Sequence, residues 1–386
     1  MLSFENTEIA FYGRSNFELR RNYWLFKFMA SHTLVYACKH LLNFFLKIHF
    51  PVSWILKPTL FKHFCGGETL AEAAKTINIL QKRNTKTILD YSVEGKETTE
   101  SYNNALNEIL ATVEFASKNK NIPFTVFKPS ALGNRLLLEK ASNGSSLTNL
   151  EQDELNLFQQ RIDTLCNAAF NVSVPIMIDA EHFHYQNIID TVCENMMRKY
   201  NQKQAIVFNT LQMYRTDRLH YLEKIFEDSK RENFYLGIKF VRGAYMEKER
   251  ERAKILGYQS PIHEDKTNTD IAYNSALRFS IKHIDRIEIF NGTHNEESSL
   301  LLTKLIEIAD LPKDDKRIWF SQLYGMSDNI SFNLASEGYN VAKYVPYGPV
   351  KHVLPYLIRR AEENTSVKGQ TSREMAMIVK EIKRRK

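Results

Sequence analysis

Only four cysteines stand in the 386 residues, Cys38, Cys65, Cys166 and Cys193, and no two of them form a C-x-x-C pair. That scarcity excludes a disulfide framework and a thiolate metal site, and it fits reduced thiols in a cytoplasmic-type compartment. No Gly-rich dinucleotide fingerprint follows the first candidate strand, which argues against a doubly wound nucleotide-binding sheet. The N-terminus has no apolar segment behind a basic cap, so no secretory signal is expected, and Glu5 and Glu8 sit where a mitochondrial leader avoids acids. The apolar and aromatic stretch at 41–56 is interrupted by Lys47, His49 and Pro51 and closed by Lys57, too broken to span a bilayer. H-x-x-E-H and similar spacings are missing. Asp179, Glu181 and His294 therefore remain carboxylates and an imidazole without a metal pattern, and no metal is expected. No nucleophile–base pair stands out, which turns attention to cofactor chemistry.

What the chain does have is bulk and rhythm. Hydrophobic residues make up 43% and aromatics 12%, ample for one large α/β domain with an appendage. The net charge of +7 comes partly from the tail Lys383-Arg-Arg-Lys386. It permits contact with an anionic surface without demanding a nucleic acid, and none is expected as a partner. Residues 1–85 read as a helical arm. Its 41–56 stretch either packs on the main domain or lies on a membrane surface, with Phe and Trp in the interface and lysines at the headgroups.

From residue 86 to 372 the chain alternates strand and helix, and 373–386 form a basic C-terminal helix or tail. The candidate strands are 87–92, 124–129, 174–179, 205–211, 236–241, 286–291, 318–323 and 341–345, short β-branched or aromatic runs suited to a buried parallel sheet. Between them lie periodic stretches such as 147–168, opened by a Thr148/Glu151 capping-box pattern. Eight such units fit a (β/α)8 barrel of roughly 250 residues. Barrels place functional groups at the C-terminal ends of their strands. Polar residues gather there: Lys128, Asp179 and Glu181, Asn209 and Gln212, Lys239, Arg242 and Tyr245, Thr293 with His294 and Asn295, Gln322, and Tyr344.

Each has a bland reading. Lys128 can snorkel to water, and Asp179 can cap a turn or balance a cationic cluster. The Gly243-Ala244 pair either serves a βα turn or lets the backbone approach something flat. Thr293 and Glu296 form a capping-box pattern for the next helix. Lys266 and Thr269, in the long loop 261–270, could meet phosphates or simply be solvated. The sharpest signal comes last. Read as a helix, Tyr356, Arg359, Arg360 and Glu363 fall at i, i+3, i+4 and i+7, on one face. Two adjacent arginines on an inward face need an anion, because unpaired buried charge is costly.

Eight segments carry a resemblance. They are Phe127-Lys-Pro-Ser-Ala-Leu-Gly133, Ile178-Asp-Ala-Glu181, Phe208-Asn-Thr-Leu-Gln212, Lys239-Phe-Val-Arg-Gly-Ala-Tyr245, Thr293-His-Asn295, Gln322-Leu-Tyr-Gly-Met326, Lys343-Tyr-Val-Pro-Tyr-Gly-Pro349 and Tyr356-Leu-Ile-Arg-Arg-Ala-Glu-Glu-Asn364. In this order the chain resembles the proline dehydrogenase family, closer to its stand-alone, mitochondrial-type members than to the bifunctional bacterial ones. The resemblance implies a distorted (β/α)8 barrel with non-covalent FAD. It implies oxidation of L-proline to Δ1-pyrroline-5-carboxylate and transfer of electrons to a membrane quinone. Lys128, Arg359 and Arg360 would then meet the substrate carboxylate, Tyr344 and Tyr356 would pack on the ring, and Asp179 and Tyr245 would support them. FAD would contact Asn209, Lys239, Val241, Gly243, Ala244, Lys266, Thr269, Thr293, His294, Asn295, Gln322, Arg360, Glu363 and Ser366. The implied place is cytoplasmic, peripheral on the inner face of the cytoplasmic membrane. The alternatives are another flavin barrel, such as a methylenetetrahydrofolate reductase-like enzyme, or a non-catalytic basic membrane-surface protein. In the implied site the Tyr344 phenol crowds a 4-hydroxyl group. Steady-state kinetics should then give a far lower catalytic efficiency on trans-4-hydroxyproline than on proline, and equal efficiencies would refute that role.

Overall fold

Short runs rich in Ile, Val and Phe become eight parallel strands, buried along nearly their whole length. The computed structural model describes residues 2–47, 52–93, 97–366 and 370–386. The strands are β1 Lys86–Tyr91, β2 Phe124–Phe127, β3 Ile176–Ile178, β4 Val207–Gln212, β5 Leu236–Val241, β6 Ile287–Gly292, β7 Ile318–Leu323 and β8 Val341–Tyr347. They close into a barrel in chain order, as the alternation of strand and helix implies. The described part of residues 2–81 holds helices and no strand. Among the described residues no helix is long and apolar enough to cross a membrane.

Strand ends depart from the sequence reading for backbone reasons. β2 stops at Phe127 because Pro129 opens a short 3₁₀ turn, Pro129–Ala131, so Lys128 follows the strand rather than ending it. β3 starts late, at Ile176. Pro175 has no N–H to give the ladder, although its carbonyl still accepts from Thr125 N at 2.9 Å. β4 begins at Val207 because the Asn201 side chain takes the N–H groups of Ile206 and Val207 at 2.9 and 2.8 Å. β8 runs on to Tyr347, where Pro346 O accepts from Gly66 N at 2.8 Å. The Thr148 capping box forms as read and opens the helix Asn149–Asn171.

The chain divides into two compact units: residues 1–86, 92–94 and 322–386, and residues 87–91 with 95–321. The second unit is organised around Phe124. Its ring meets Phe208 on β4, Phe290 on β6 and Trp319 on β7 edge-on, at centroid distances of 5.3, 5.2 and 5.4 Å. Strands β2, β4 and β6 are not neighbours, so rings that touch across them fill the barrel interior as a layer. Room for that layer comes from Gly237, which pairs with Phe208 in register. A Cβ at Gly237 would lie 2.6 Å from the Phe208 ring.

The first unit has its own apolar core, with Phe26, Phe61, Phe64, Val353, Leu357 and Met377 among its members. Within it Asp328 is buried between Arg14 and Lys343, each at 3.0 Å. Burial alone would raise the Asp328 carboxyl, but Lys343 and then Arg14 hold it far below the usual carboxylate range. The stretch 41–56 lies partly outside the described residues: 48–51 are not described, nor are the side chains of 43–47 and Ile55.

Gly237→Ala should cost about 1–3 kcal/mol through overpacking, although alanine is otherwise the better strand residue. Urea unfolding of Gly237→Ala, alone and with Phe208→Leu, checks this. The smaller partner should recover part of the loss, and an unchanged midpoint for the single variant would remove the argument.

Candidate active site

Four charged groups converge beyond the C-terminal ends of β1, β2, β3 and β5. Asp90 is the fifth residue of β1, and Lys128 and Asp179 directly follow β2 and β3. Asp179 N extends the ladder to Phe127 O at 3.0 Å, which aims its side chain from the strand end. The Lys128 ammonium reaches Asp90 at 3.0 Å and Asp179 at 3.5 Å. Lys239, on β5 and only 5% exposed, reaches the other Asp179 oxygen at 2.6 Å. Asp179 thus bridges two ammonium groups. Burial by itself would pull the Lys128 pKa down, but Asp90 and then Asp179 outweigh it and push the pKa up, so Lys128 stays charged.

The turn after β2 is held by Glu181. Its carboxylate accepts from Ser130 N at 2.7 Å and from Ser130 Oγ at 2.6 Å, and burial raises its pKa. Both oxygens thus have hydroxyl or N–H donors in this turn, an anchoring role that the sequence did not distinguish from metal ligation.

At the ends of β5 and β6, Arg242 is clamped. It donates to Asp270 at 2.6 and 2.9 Å, to Thr293 Oγ1 at 2.6 Å and to Ser298 Oγ at 3.0 Å, over the Tyr273 ring. Gly243 has φ +127°, and a Cβ there would stand 2.5 Å from the Tyr214 ring, so the flat group beside this glycine is Tyr214. Val241 ends β5, while Ala244 follows on the exposed turn. Tyr245 opens the helix Met246–Leu256, with its ring 4.2 Å from that of His182.

Three sequence readings change here. The helix Glu296–Ile308 is capped by Asn295, whose Oδ1 accepts from Ser298 N at 2.8 Å, and not by Thr293. Thr293 still belongs to the sheet through its N–H to Ser321 O, and its hydroxyl accepts from Arg242 and from Asn295 N. Lys266 and Thr269 lie in the first turn of the helix Lys266–Lys282 rather than in a loop. Asp265 caps that helix, and Lys266 pairs with Asp270. Asn209 faces outward, since its neighbour Phe208 fills the barrel and side chains alternate. Its amide nitrogen donates to Asp190 and to Tyr221, both at 3.2 Å. A flavin contact at Asn209 does not fit that orientation. Gln212, the last residue of β4, fits better: it is buried, and its Oε1 accepts no hydrogen bond.

The first unit carries the remaining candidates. The helix Val350–Ser366 forms as read. Tyr356 and Arg360 are buried on it, with the guanidinium 5.3 Å from the phenol centroid, and Arg359 is half-buried. Tyr344 is buried on β8, and its carbonyl accepts from Tyr324 N at 2.9 Å. Gln322 Oε1 accepts from Ser331 Oγ at 2.7 Å. Glu363 and Ser366 fall on this helix by position, and their side chains lie outside the described residues.

A family model described as Proline dehydrogenase matches residues 73–373. The chain belongs to the proline dehydrogenase family. It is therefore an oxidoreductase of that family, which sets aside the readings as a different flavin barrel or a non-catalytic surface protein. It is 33% identical to Proline dehydrogenase 1, mitochondrial, of Dictyostelium discoideum, over 98% of this chain and 74% of that protein. It is 34% identical to the Carbapenem antibiotics biosynthesis protein CarD of Pectobacterium carotovorum subsp. carotovorum, over 83% of each. Among solved structures, proline utilization A (PutA) from Bdellovibrio bacteriovorus, inactivated by N-propargylglycine, matches with a TM-score of 0.75 at 18% identity. That likeness shows the fold, and it covers 97% of this chain but only 40% of the PutA chain.

Within the proline dehydrogenase barrel, Lys128, Asp179 and Lys239 are brought into one network, and Asp90 joins them. Asp90 and Gln212 carry little signal of their own in the sequence, because strand-interior and strand-end polar residues look alike until the register is known. Removing Asp179 should be costly, because it deprives two partly buried ammonium groups of one carboxylate. Asp179→Ala should lose about 3–5 kcal/mol in urea unfolding. A double-mutant cycle with Lys239→Met should show positive coupling, and strictly additive losses would mean that the bridge contributes nothing.

Proposed function

We propose that this chain oxidises L-proline to Δ1-pyrroline-5-carboxylate, with non-covalently bound FAD as hydride acceptor and a membrane quinone as the onward acceptor. The observation that carries the reading is the Lys128–Asp179–Lys239 chain, two ammonium groups held in place by a shared carboxylate at a barrel's strand ends. In this reading Lys128, Arg359 and Arg360 take the substrate carboxylate. An ammonium can donate in several directions, and guanidiniums offer planar bidentate contacts. Tyr344 and Tyr356 pack on the pyrrolidine ring, while Asp179 and Tyr245 hold the cluster in place.

The residues fit a flavin. Gln212 Oε1 is a buried acceptor without a donor, suited to a ring N–H, and its register partner Val241 ends the strand that carries Lys239. Val241, Gly243, Ala244, Thr293, His294, Asn295 and Gln322 would line the cofactor. Lys266 and Thr269, in the first turn of a helix, would take phosphate. Arg360, Glu363 and Ser366 would complete the set. When bound, FAD supplies the hydride acceptor.

The chain's own residues set up the reaction. A protonated amine has no lone pair to expel hydride, so the substrate must first lose a proton. Cations around its carboxylate disfavour the ammonium form and push that proton to water, without a dedicated protein base. Fixing the ring in one orientation supplies much of the rate. Lys239, held by Asp179, would stabilise the negative charge gained by the acceptor. Delivery of electrons to a quinone calls for peripheral contact with the inner face of the cytoplasmic membrane. Exposed aromatics on the N-terminal helices, Trp24, Tyr36 and Trp54, suit contact with a membrane surface.

Anaerobic addition of L-proline to the purified protein should bleach a flavin band in the blue. A colourless protein that FAD cannot reconstitute would sink the reading. Arg359→Ala should raise the proline KM more than tenfold, in line with losing a charge-assisted hydrogen bond of about 1.5–3 kcal/mol. FAD retention should barely change, and equal effects on both would move Arg359 to the cofactor.

A further inference from the structure

His182, His184 and Glu249 form a group outside the proposed substrate and flavin contacts. The two histidines follow β3 in an H-x-H pair at the start of the helix Phe183–Tyr200, and Glu249 lies in the first turn of Met246–Leu256. Each offers one ligand atom, and the three atoms lie within 4.8 Å of one another. It is the one such set of histidine, cysteine and carboxylate ligands among the described residues.

Two further observations show ligand atoms in this group that no protein donor satisfies. Glu249 is 1% exposed, yet its Oε2 has no hydrogen-bond partner. His184 Nδ1 is likewise buried and unpartnered. Glu249 Oε1, by contrast, is used, at 2.9 Å from His182 Nδ1 and 3.0 Å from Phe183 N. His184 Nε2 lies 3.7 Å from the Glu139 carboxylate, beyond hydrogen-bond reach, and a small shift would give it the outer partner that metal-bound imidazoles usually have. Both histidines line an open cavity of about 320 Å³, which gives an ion access.

We propose that His182, His184 and Glu249 bind a divalent first-row transition-metal ion, with zinc as the ion best suited to two imidazoles, one carboxylate and an open fourth position. Bonds of about 2.0–2.2 Å would put tetrahedral ligand atoms roughly 3.3 Å apart, so the group closes by about an ångström or more on loading. Lys248 and Arg252 line the same cavity and oppose a cation. Arg252 is neutralised by its pairing with Glu139, and Glu251 stands beside Lys248. The ion would tie the starts of two helices together beside Tyr245, whose ring rests on His182. This is a site of a different chemistry from the organic cofactor, and it does not depend on the proposed reaction.

The test is a calorimetric titration of Zn²⁺ into the full-length protein after chelator treatment, paired with thermal unfolding. One Zn²⁺ should bind per chain and raise Tm, because an ion that binds only the folded state stabilises it. His184→Gln should lose that binding and the Tm rise while unfolding near the parent's Tm without zinc. Glu249→Gln should lose both as well, and His220→Gln, at an exposed position, should keep both. Absence of one-equivalent binding in the parent, or its survival in His184→Gln, would overturn the proposal. Should Glu249→Gln fold poorly, the partly exposed His184 variant decides the matter by itself.

Discussion

Asp179 stands between two ammonium groups, and the chemistry proposed at this end of the barrel depends on that bridge. Lys128 and Lys239 come from chain segments that are far apart in sequence, yet each finds one oxygen of the same carboxylate. Taking charge out of water is costly, and the cost is met only when partners are close and well oriented. Here Asp90 adds a second carboxylate on the Lys128 side, which leaves that lysine charged. An anionic substrate brought to such a cluster meets donors already in place, which is the physical basis of preorganisation.

The cluster needs a rigid platform, and the aromatic layer supplies it. Phe124, Phe208, Phe290 and Trp319 fill the interior below the charged groups, and Gly237 yields the space that Phe208 takes. The same strands that are dry along their length carry polar groups at their C-terminal ends. That division follows from burying a parallel sheet on both faces while its loops stay polar.

Family membership and geometry speak to different questions. The match to the proline dehydrogenase family covers residues 73–373 and says what class of enzyme this is. The geometry says how its side chains are held. It shows Glu181 locked to the turn after β2, Arg242 clamped by Asp270 and Thr293, and a histidine–carboxylate group on neighbouring helices that the proposed reaction leaves unused.

Much of the barrel was readable in the chain itself. Eight apolar runs separated by helical stretches leave few topologies, because parallel strands need right-handed crossovers and close neighbours. The Thr148 cap and the Tyr356–Arg360 helix face were also legible, since both rest on local spacing. Tertiary structure alone decided the rest. Asn209 and Gln212 sit three residues apart on one strand, and only the pairing of Phe208 with the interior shows which of them turns outward. Asp179 could cap a turn or bridge charges, and only the approach of β2 and β5 selects the bridge. His182, His184 and Glu249 are 67 residues apart at their extremes and share no motif spacing, so nothing short of the fold could bring them together. Local periodicity records which elements form; the partner of a charged side chain is set by chain segments distant in sequence.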